Sequence, residues 1–267
     1  MTIYAIGDIH GQLGMLETAL ARIEVDGGSD APVVFLGDYT DRGPDSRGVI
    51  DLLIKGMAEG RNWIPILGNH DRMFSMFMED FPRTDPQLAV GLSWLHKRIG
   101  GLQTLASYGV EISEPLLTHI VHGQARENVP QSHLDFLASL PSHHEVDELL
   151  FVHAGIRPGI ALADQTEDDK IWIRQEFLQY PAPHSHLVVH GHTPEKQAVH
   201  MGNRINLDSG AGYGQPLSTA VFEGTTVWNL TVMGRKPLVP QPRVPQKRPA
   251  PGIGGRLKRF FAPPRSK

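Results

Sequence analysis

Short apolar runs along the chain alternate with longer stretches in which apolar residues recur every three or four positions. Ile3–Ile6 reads as a β run, and Gln12–Val25 as a helix with Leu13, Leu16, Leu20 and Ile23 on one stripe. Pro32–Leu36 reads as a buried second strand. Val49, Ile50, Leu52, Leu53 and Met57 mark a second helix, and Trp63–Leu67 a third strand. Three such units predict parallel strands with right-handed crossovers, so their C-terminal turns gather along one sheet edge. Residues 73–118 read as a mainly helical insertion that walls this edge, with a Met- and Phe-rich stripe (Met73, Phe74, Met76, Phe77) that belongs to the core. Leu149–Val152 and Leu187–Val189 are further strands. Arg204–Leu207, Ser218–Phe222 and Thr226–Val232 follow without helices between them, which predicts an antiparallel run in a second sheet or at a sheet edge.

The strands end alike, on glycine beside Asp, Asn or His. The first delivers Gly7-Asp8-Ile9-His10-Gly11, the second Gly37-Asp38-Tyr39-Thr40-Asp41-Arg42-Gly43 and the third Gly68-Asn69-His70-Asp71. Later strands end on His153-Ala154-Gly155 and His190-Gly191-His192-Thr193. An acid at the C-terminal end of a strand, beside a glycine that lets the backbone turn, is where α/β folds place chemistry. Asp8, His10, Asp38, Asn69, His153 and His190 together offer carboxylates, imidazoles and one amide oxygen. That set suits two divalent ions of intermediate hardness, manganese first, with iron or zinc as alternatives. A carboxylate shared by both ions holds them roughly 3.5–4 Å apart, and Asp38, on the middle motif, is the candidate bridge. His192 reads as a neighbouring support. Asp208 reads either as an acceptor orienting a ligand histidine or as a plain turn acid.

Composition narrows the chemistry. The 267 residues contain no cysteine, which excludes disulfides, thiolate metal sites and a covalent cysteine intermediate. No Gly-x-x-x-x-Gly-Lys-Ser/Thr loop is present, which argues against a P-loop nucleotide hydrolase. No apolar run is long enough to span a bilayer, and the N-terminus lacks a basic n-region before its first strand, so a cytoplasmic location is expected. Charge divides the chain unevenly. Ten of the 25 Lys and Arg lie beyond Gly234 and no acid lies beyond Glu223, leaving 15 basic against 29 acidic residues before it, a formal charge of −14. The expected organisation is a catalytic domain over residues 1–233 and a basic, proline-rich, disordered tail over 234–267. Leu257, Phe260 and Phe261 among Arg256, Lys258 and Arg259 suit that tail to an acidic partner or a membrane surface. Nothing predicts DNA as a partner.

As an ordered set, these motifs resemble those of the phosphoprotein phosphatase family of calcineurin-like metallophosphoesterases, in particular its compact bacterial and phage serine/threonine phosphatases. The resemblance implies an α/β fold of two β-sheets in a sandwich flanked by helices. It implies a first metal on Asp8, His10 and Asp38 and a second on Asp38, Asn69, His153 and His190. It implies His70 as general acid, Asp41 as the carboxylate that orients it, and Arg42 as a phosphate clamp. Arg174, in Trp172-Ile173-Arg174, resembles the second clamp of bacterial members, with Arg157 as the alternative. The substrate so implied is a phosphorylated protein. The rival is a relative that splits symmetrical dinucleoside tetraphosphates, or one acting on nucleotides or RNA 5′ ends. The tetraphosphate-splitting enzymes typically lack the aspartate of the Asp-Arg-Gly triplet, and here Asp41 is present.

Overall fold

The computed structural model describes residues 1–241. Its first half is the expected alternation: β1 (Thr2–Ile6), α1 (Leu13–Gly27), β2 (Val33–Phe35), α2 (Ser46–Ala58), β3 (Trp63–Pro65) and α3 (Asn69–Met78). α2 begins where the Asp45 carboxylate accepts from Gly48 N at 2.7 Å. After α3 come α4 (Gly101–Ser107), α5 (Thr118–Asn128) and α6 (Gln131–Ser139), then β4 (His143–Val146) and β5 (Leu149–Val152). α7 (Glu167–Trp172), α8 (Gln175–Leu178), β6 (Leu187–His190), β7 (Val199–His200) and β8 (Arg204–Asn206) follow. The described chain closes with β9 (Thr219–Glu223), β10 (Thr226–Thr231) and β11 (Gly234–Pro237).

Two sheets form. One has the order β11-β10-β9-β1-β2-β3 and the other β4-β5-β6-β8-β7. β1, β2 and β3 are parallel, as are β5, β6 and β8. From Ile3 to Ile6 β1 is apolar and buried because both its faces are covered. Ile3 and Ala5 pack with Leu149, Phe151, Val189 and Ile205 in the layer between the sheets. Tyr4 and Ile6 pack outward with Leu16, Ile23, Val49 and Phe74 of the helices. The second sheet's outer face is a smaller cluster in which Leu150, Val152 and Val188 meet Phe177 of α8. Strand polarity therefore brings the C-terminal ends of β1, β2, β5 and β6 to one end of the sandwich.

Three expectations change. Residues 73–118 are not mainly helical: α3 stops at Met78 and no helix forms over 79–100, where Pro82, Pro86 and Gly91 oppose one. The helical wall resumes at Gly101 and extends to Ser139. The late strands do not form one antiparallel run either. β9, β10 and β11 do, but β8 joins the other sheet beside β6, in parallel. The boundary at 234 is also misplaced, because it falls at the start of β11. Arg235 Nη2 lies 2.8 Å from Asp26 Oδ2, and its guanidinium stands 5.7 Å from the Trp228 ring centroid. Gln241 N donates to His200 O at 2.8 Å, tying the end of this segment to the other sheet. The rest of the expected tail, 242–267, lies outside the described residues. Among the described residues no helix is long and apolar enough to cross a membrane.

A chain ended after Gly234 loses β11 and the Arg235 contacts while keeping every motif residue. Compared with one ended after Gln241, it is expected to lose about 2 kcal/mol, lowering Tm by about 4–8 °C in a thermal melt.

Candidate active site

The loops at this end of the sandwich hold unusual backbone. Among the described residues six non-glycine positions have positive φ, and five of them are His10, Asp38, Asp41, Arg42 and His192. Left-handed backbone at such residues persists only where surrounding contacts over-determine it. For the β2 loop the contact is Asp71, in the first turn of α3 and fully buried. Its carboxylate accepts from Asp38 N at 2.7 Å, Tyr39 N at 2.9 Å, Gly68 N at 3.2 Å and Thr40 Oγ1 at 3.2 Å. The loop is thereby folded onto the helix that carries Asn69 and His70. Gly68 is required for this closeness, since a Cβ there would meet Asp38 N at 2.2 Å.

The imidazoles are oriented by backbone carbonyls. His10 Nδ1–H donates to Thr40 O at 2.8 Å and His153 Nδ1–H to Leu36 O at 2.7 Å. A carbonyl only accepts, so in the neutral rings each Nε2 carries a lone pair. Those lone pairs face oxygens: His10 Nε2 is 3.5 Å from Asp38 Oδ2, and His153 Nε2 is 3.4 Å from Asp38 Oδ1 and 2.9 Å from Asn69 Oδ1. His192 Nδ1 lies 2.8 Å from the same amide oxygen. Asp8 Oδ2 accepts from His192 N at 2.9 Å, while Asp8 Oδ1 and His192 Nε2 are buried without a partner. Acceptors turned toward acceptors in a buried space fit divalent cations, and Asp38 presents one oxygen to each side. Charge agrees. Burial, then Asp208 and Asp38, push the Asp8 carboxyl well up. Burial likewise holds the His10, His153 and His192 imidazoles below their usual range, in the neutral form whose lone pair can meet a cation.

His190 is not in this group; His192 is. His10, Asp38 and His70 offer donors within 4.8 Å of one another, as do Asp38, His153 and His192. The reason is strand alternation. Leu149 and Phe151 point between the sheets and Leu150 and Val152 outward, so His153 points toward the seam. Phe151 pairs with Val189, which puts His190 in step with Val152 on the outer face. There its ring meets Phe177 edge-on, centroids 5.0 Å apart. The left-handed turn at His192 brings the next imidazole back to the seam. Counting alternate positions from the apolar β6 residues would have found this.

Beside the group, His70 Nδ1 is 2.5 Å from Asp41 Oδ2. Asp41 is fully buried and also accepts from Trp94 Nε1 at 2.9 Å and Thr104 Oγ1 at 2.8 Å. Neither residue stands out in the sequence. Trp94 stacks on Phe74, 5.2 Å between centroids, and only the fold reveals its N–H as a second duty. Arg42 Nη2 donates to His70 Nε2 at 2.9 Å and Nη1 to His10 Nε2, with the guanidinium 4.8 Å from the Tyr213 ring centroid.

Residues 1–212 match the calcineurin-like phosphoesterase family. The chain belongs to that family. Its members use divalent ions, in keeping with the donors above. This phosphoesterase is 26% identical over 263 residues to the bis(5′-nucleosyl)-tetraphosphatase PrpE [asymmetrical] of Bacillus thuringiensis strain Al Hakam, covering 88% of this chain and 96% of the relative. The Bacillus cereus strain 03BB102 protein of the same name matches equally. Among solved structures, a candidate diadenosine tetraphosphatase is 22% identical with TM-score 0.60, covering 85% of this chain and 92% of its own. A cold-active protein-tyrosine phosphatase of a psychrophilic Shewanella is 15% identical with TM-score 0.55, covering 89% and 80%. Both structures share the fold.

Three further residues of the phosphoesterase are placed by the fold. Arg174 Nη1 donates to Thr193 Oγ1 at 3.1 Å, within the electrostatic reach of Asp38, Asp208 and Asp8. Arg157 is engaged elsewhere, Nη2 donating to Asp169 Oδ1 at 2.7 Å with Glu176 3.6 Å from Nη1. Asp208 bonds Gly210 N at 2.9 Å rather than an imidazole, and burial pushes its carboxyl up to about 6, with Asp38 adding to the rise and the Gly210 bond opposing it.

His190→Leu should therefore bind Mn2+ as the unaltered protein does in a calorimetric titration, whereas His192→Ala should bind more weakly by more than the about 10- to 100-fold that losing an outer-shell partner costs. The opposite ranking would return the ligand to His190.

Proposed function

We propose that this chain hydrolyses phosphomonoesters with poor leaving groups, phosphoserine and phosphothreonine of proteins, at a two-ion site. The His70–Asp41 contact carries this reading. Asp8, His10 and Asp38 would hold one ion, and Asp38, Asn69, His153 and His192 the other. Manganese is the first choice, because the donors are carboxylate, amide and imidazole with no thiolate. Ions of this kind, when bound, acidify water and neutralise phosphoryl charge. The remaining work falls to side chains of the protein. Arg42 and Arg174 supply guanidinium donors from opposite sides of the seam, suited to bidentate contact with phosphoryl oxygens as charge builds on them. Arg42 now donates to His70 Nε2. When it turns to phosphate, that nitrogen is free to carry a proton.

A serine alkoxide cannot depart without a proton. The buried Asp41 carboxylate, anchored by Trp94 and Thr104, would hold His70 with Nδ1–H toward itself and Nε2 aimed at the leaving oxygen. A dinucleoside tetraphosphate makes no such demand, because its leaving group is an acidic phosphate. That second reading is favoured by the names of the curated relatives, which carry the asymmetrical label in place of the symmetrical one expected.

The deciding experiment is turnover of phosphoserine, phosphothreonine and phosphotyrosine peptides, diadenosine tetraphosphate and an activated aryl phosphate. Chelator should abolish all turnover and Mn2+ restore it. The phosphoserine and phosphothreonine peptides should exceed the tetraphosphate in kcat/KM, and the reverse order would support the second reading. His70→Asn should cost about 10²–10⁴-fold on the phosphoserine peptide and much less on the aryl ester. Equal losses on both would assign His70 to positioning phosphate or water.

A further inference from the structure

α3 and α7 reach the site from different sheets. α3 follows β3 and carries Asn69 and His70 in its first turn. α7 is tied to the end of β5 by the Ala154 N to Lys170 O bond, 2.7 Å, and ends at Trp172, two residues before Arg174. Between them runs the non-helical part of the insertion, and one of its side chains meets both. Asp85 is only 2% exposed. Its Oδ2 accepts from Arg72 Nε of α3 at 2.8 Å and from Trp172 Nε1 of α7 at 3.2 Å. Its Oδ1 accepts from Gln87 N at 2.9 Å. The same guanidinium continues across, Arg72 Nη1 donating to Asp168 Oδ1 at 2.6 Å and Glu167 Oε1 at 3.0 Å. Gln87 Nε2 adds a bond to Asp168 Oδ2 at 2.8 Å. The Trp172 ring in turn stands edge-on to His192, centroids 5.8 Å apart at 82°.

Resting on the two-ion reading above, we infer that Asp85 is a positioning residue: one carboxylate oxygen, shared by Arg72 and Trp172, fixes Asn69 and His70 against His192. This site draws on both sheets. A buried carboxylate gripping a donor from each side fixes the two helices where the donors must converge. Asp85 reaches no imidazole itself; it acts through the Trp172 ring and the α3 backbone. The sequence holds no motif around Asp85, since what matters is which two helices the loop crosses.

The test is Mn2+ binding by titration calorimetry, with thermal melts alongside, on the full chain. Asp85→Ala is expected to weaken Mn2+ binding about 10- to 100-fold. Trp172→Phe keeps the ring against His192 and loses only the N–H, so a smaller weakening is expected with little change in Tm. Asp85→Asn, which retains an oxygen acceptor, should recover part of the loss. Arg83→Ala, which breaks the exposed Glu79 pair on the same segment, should bind as the unaltered protein does. Mn2+ affinity as in the unaltered protein for both Asp85→Ala and Trp172→Phe, with only the Tm of Asp85→Ala lowered, would overturn the role of Asp85 and leave the two-ion site standing. If Asp85→Ala does not fold, Trp172→Phe decides by itself. No Mn2+ binding by the unaltered protein would overturn the two-ion reading itself.

Discussion

The structure turns on a conflict that its own side chains do not resolve. His10 and His153 spend their Nδ1 protons on backbone carbonyls, so their Nε2 atoms accept; Arg42 donates to that of His10, while that of His153 faces the oxygens of Asp38 and Asn69, acceptor against acceptor, among buried side chains. Asp8 adds a buried carboxyl oxygen without a donor. Burying such groups unpaired costs several kcal/mol each unless a cation joins them. The left-handed backbone at His10, Asp38 and His192 exists to aim these donors inward, and it is tolerated because Asp71 staples the β2 loop onto α3.

Around that centre the helical insertion does more than exclude solvent. Trp94 and Thr104 grip the Asp41 carboxylate, which in turn grips His70. Asp85 joins Arg72 to Trp172, and Trp172 stands against His192. Each contact uses a side chain that also packs or bridges elements, so the insertion and the chemistry cannot be varied independently. The second sheet contributes from its own side, through His153, His192 and Arg174. Any force that fixes one sheet against the other therefore bears on the site.

Much of this was legible in the chain. The apolar runs of β1, β2 and β5 are buried on both faces and announce themselves, and the glycine-flanked polar turns after them mark the catalytic edge. Asp8, His10, Asp38, Asn69, His70, Asp41 and Arg42 come together as their motifs implied. What escaped was set by geometry rather than residue type. His190 and His192 are chemically equal candidates, and only the parity of β6 sends the first outward to Phe177. β4, β7 and β11 are short and polar, as edge strands are, and leave little apolar pattern to read. Pro82 and Pro86 stop the helix that the Met- and Phe-rich stripe suggested. Trp94, Thr104 and Asp85 act across 53, 63 and 87 residues of sequence, a separation no local spacing encodes.

The central claim is that Asp38 joins two ions, one held with His10 and Asp8, the other with Asn69, His153 and His192. Electron paramagnetic resonance of the Mn2+-loaded protein tests it most directly. Two Mn2+ per chain with a spin-coupled spectrum are predicted, and Asp38→Asn should abolish the coupling. A single Mn2+ per chain, or two with independent spectra, would contradict the shared-carboxylate account.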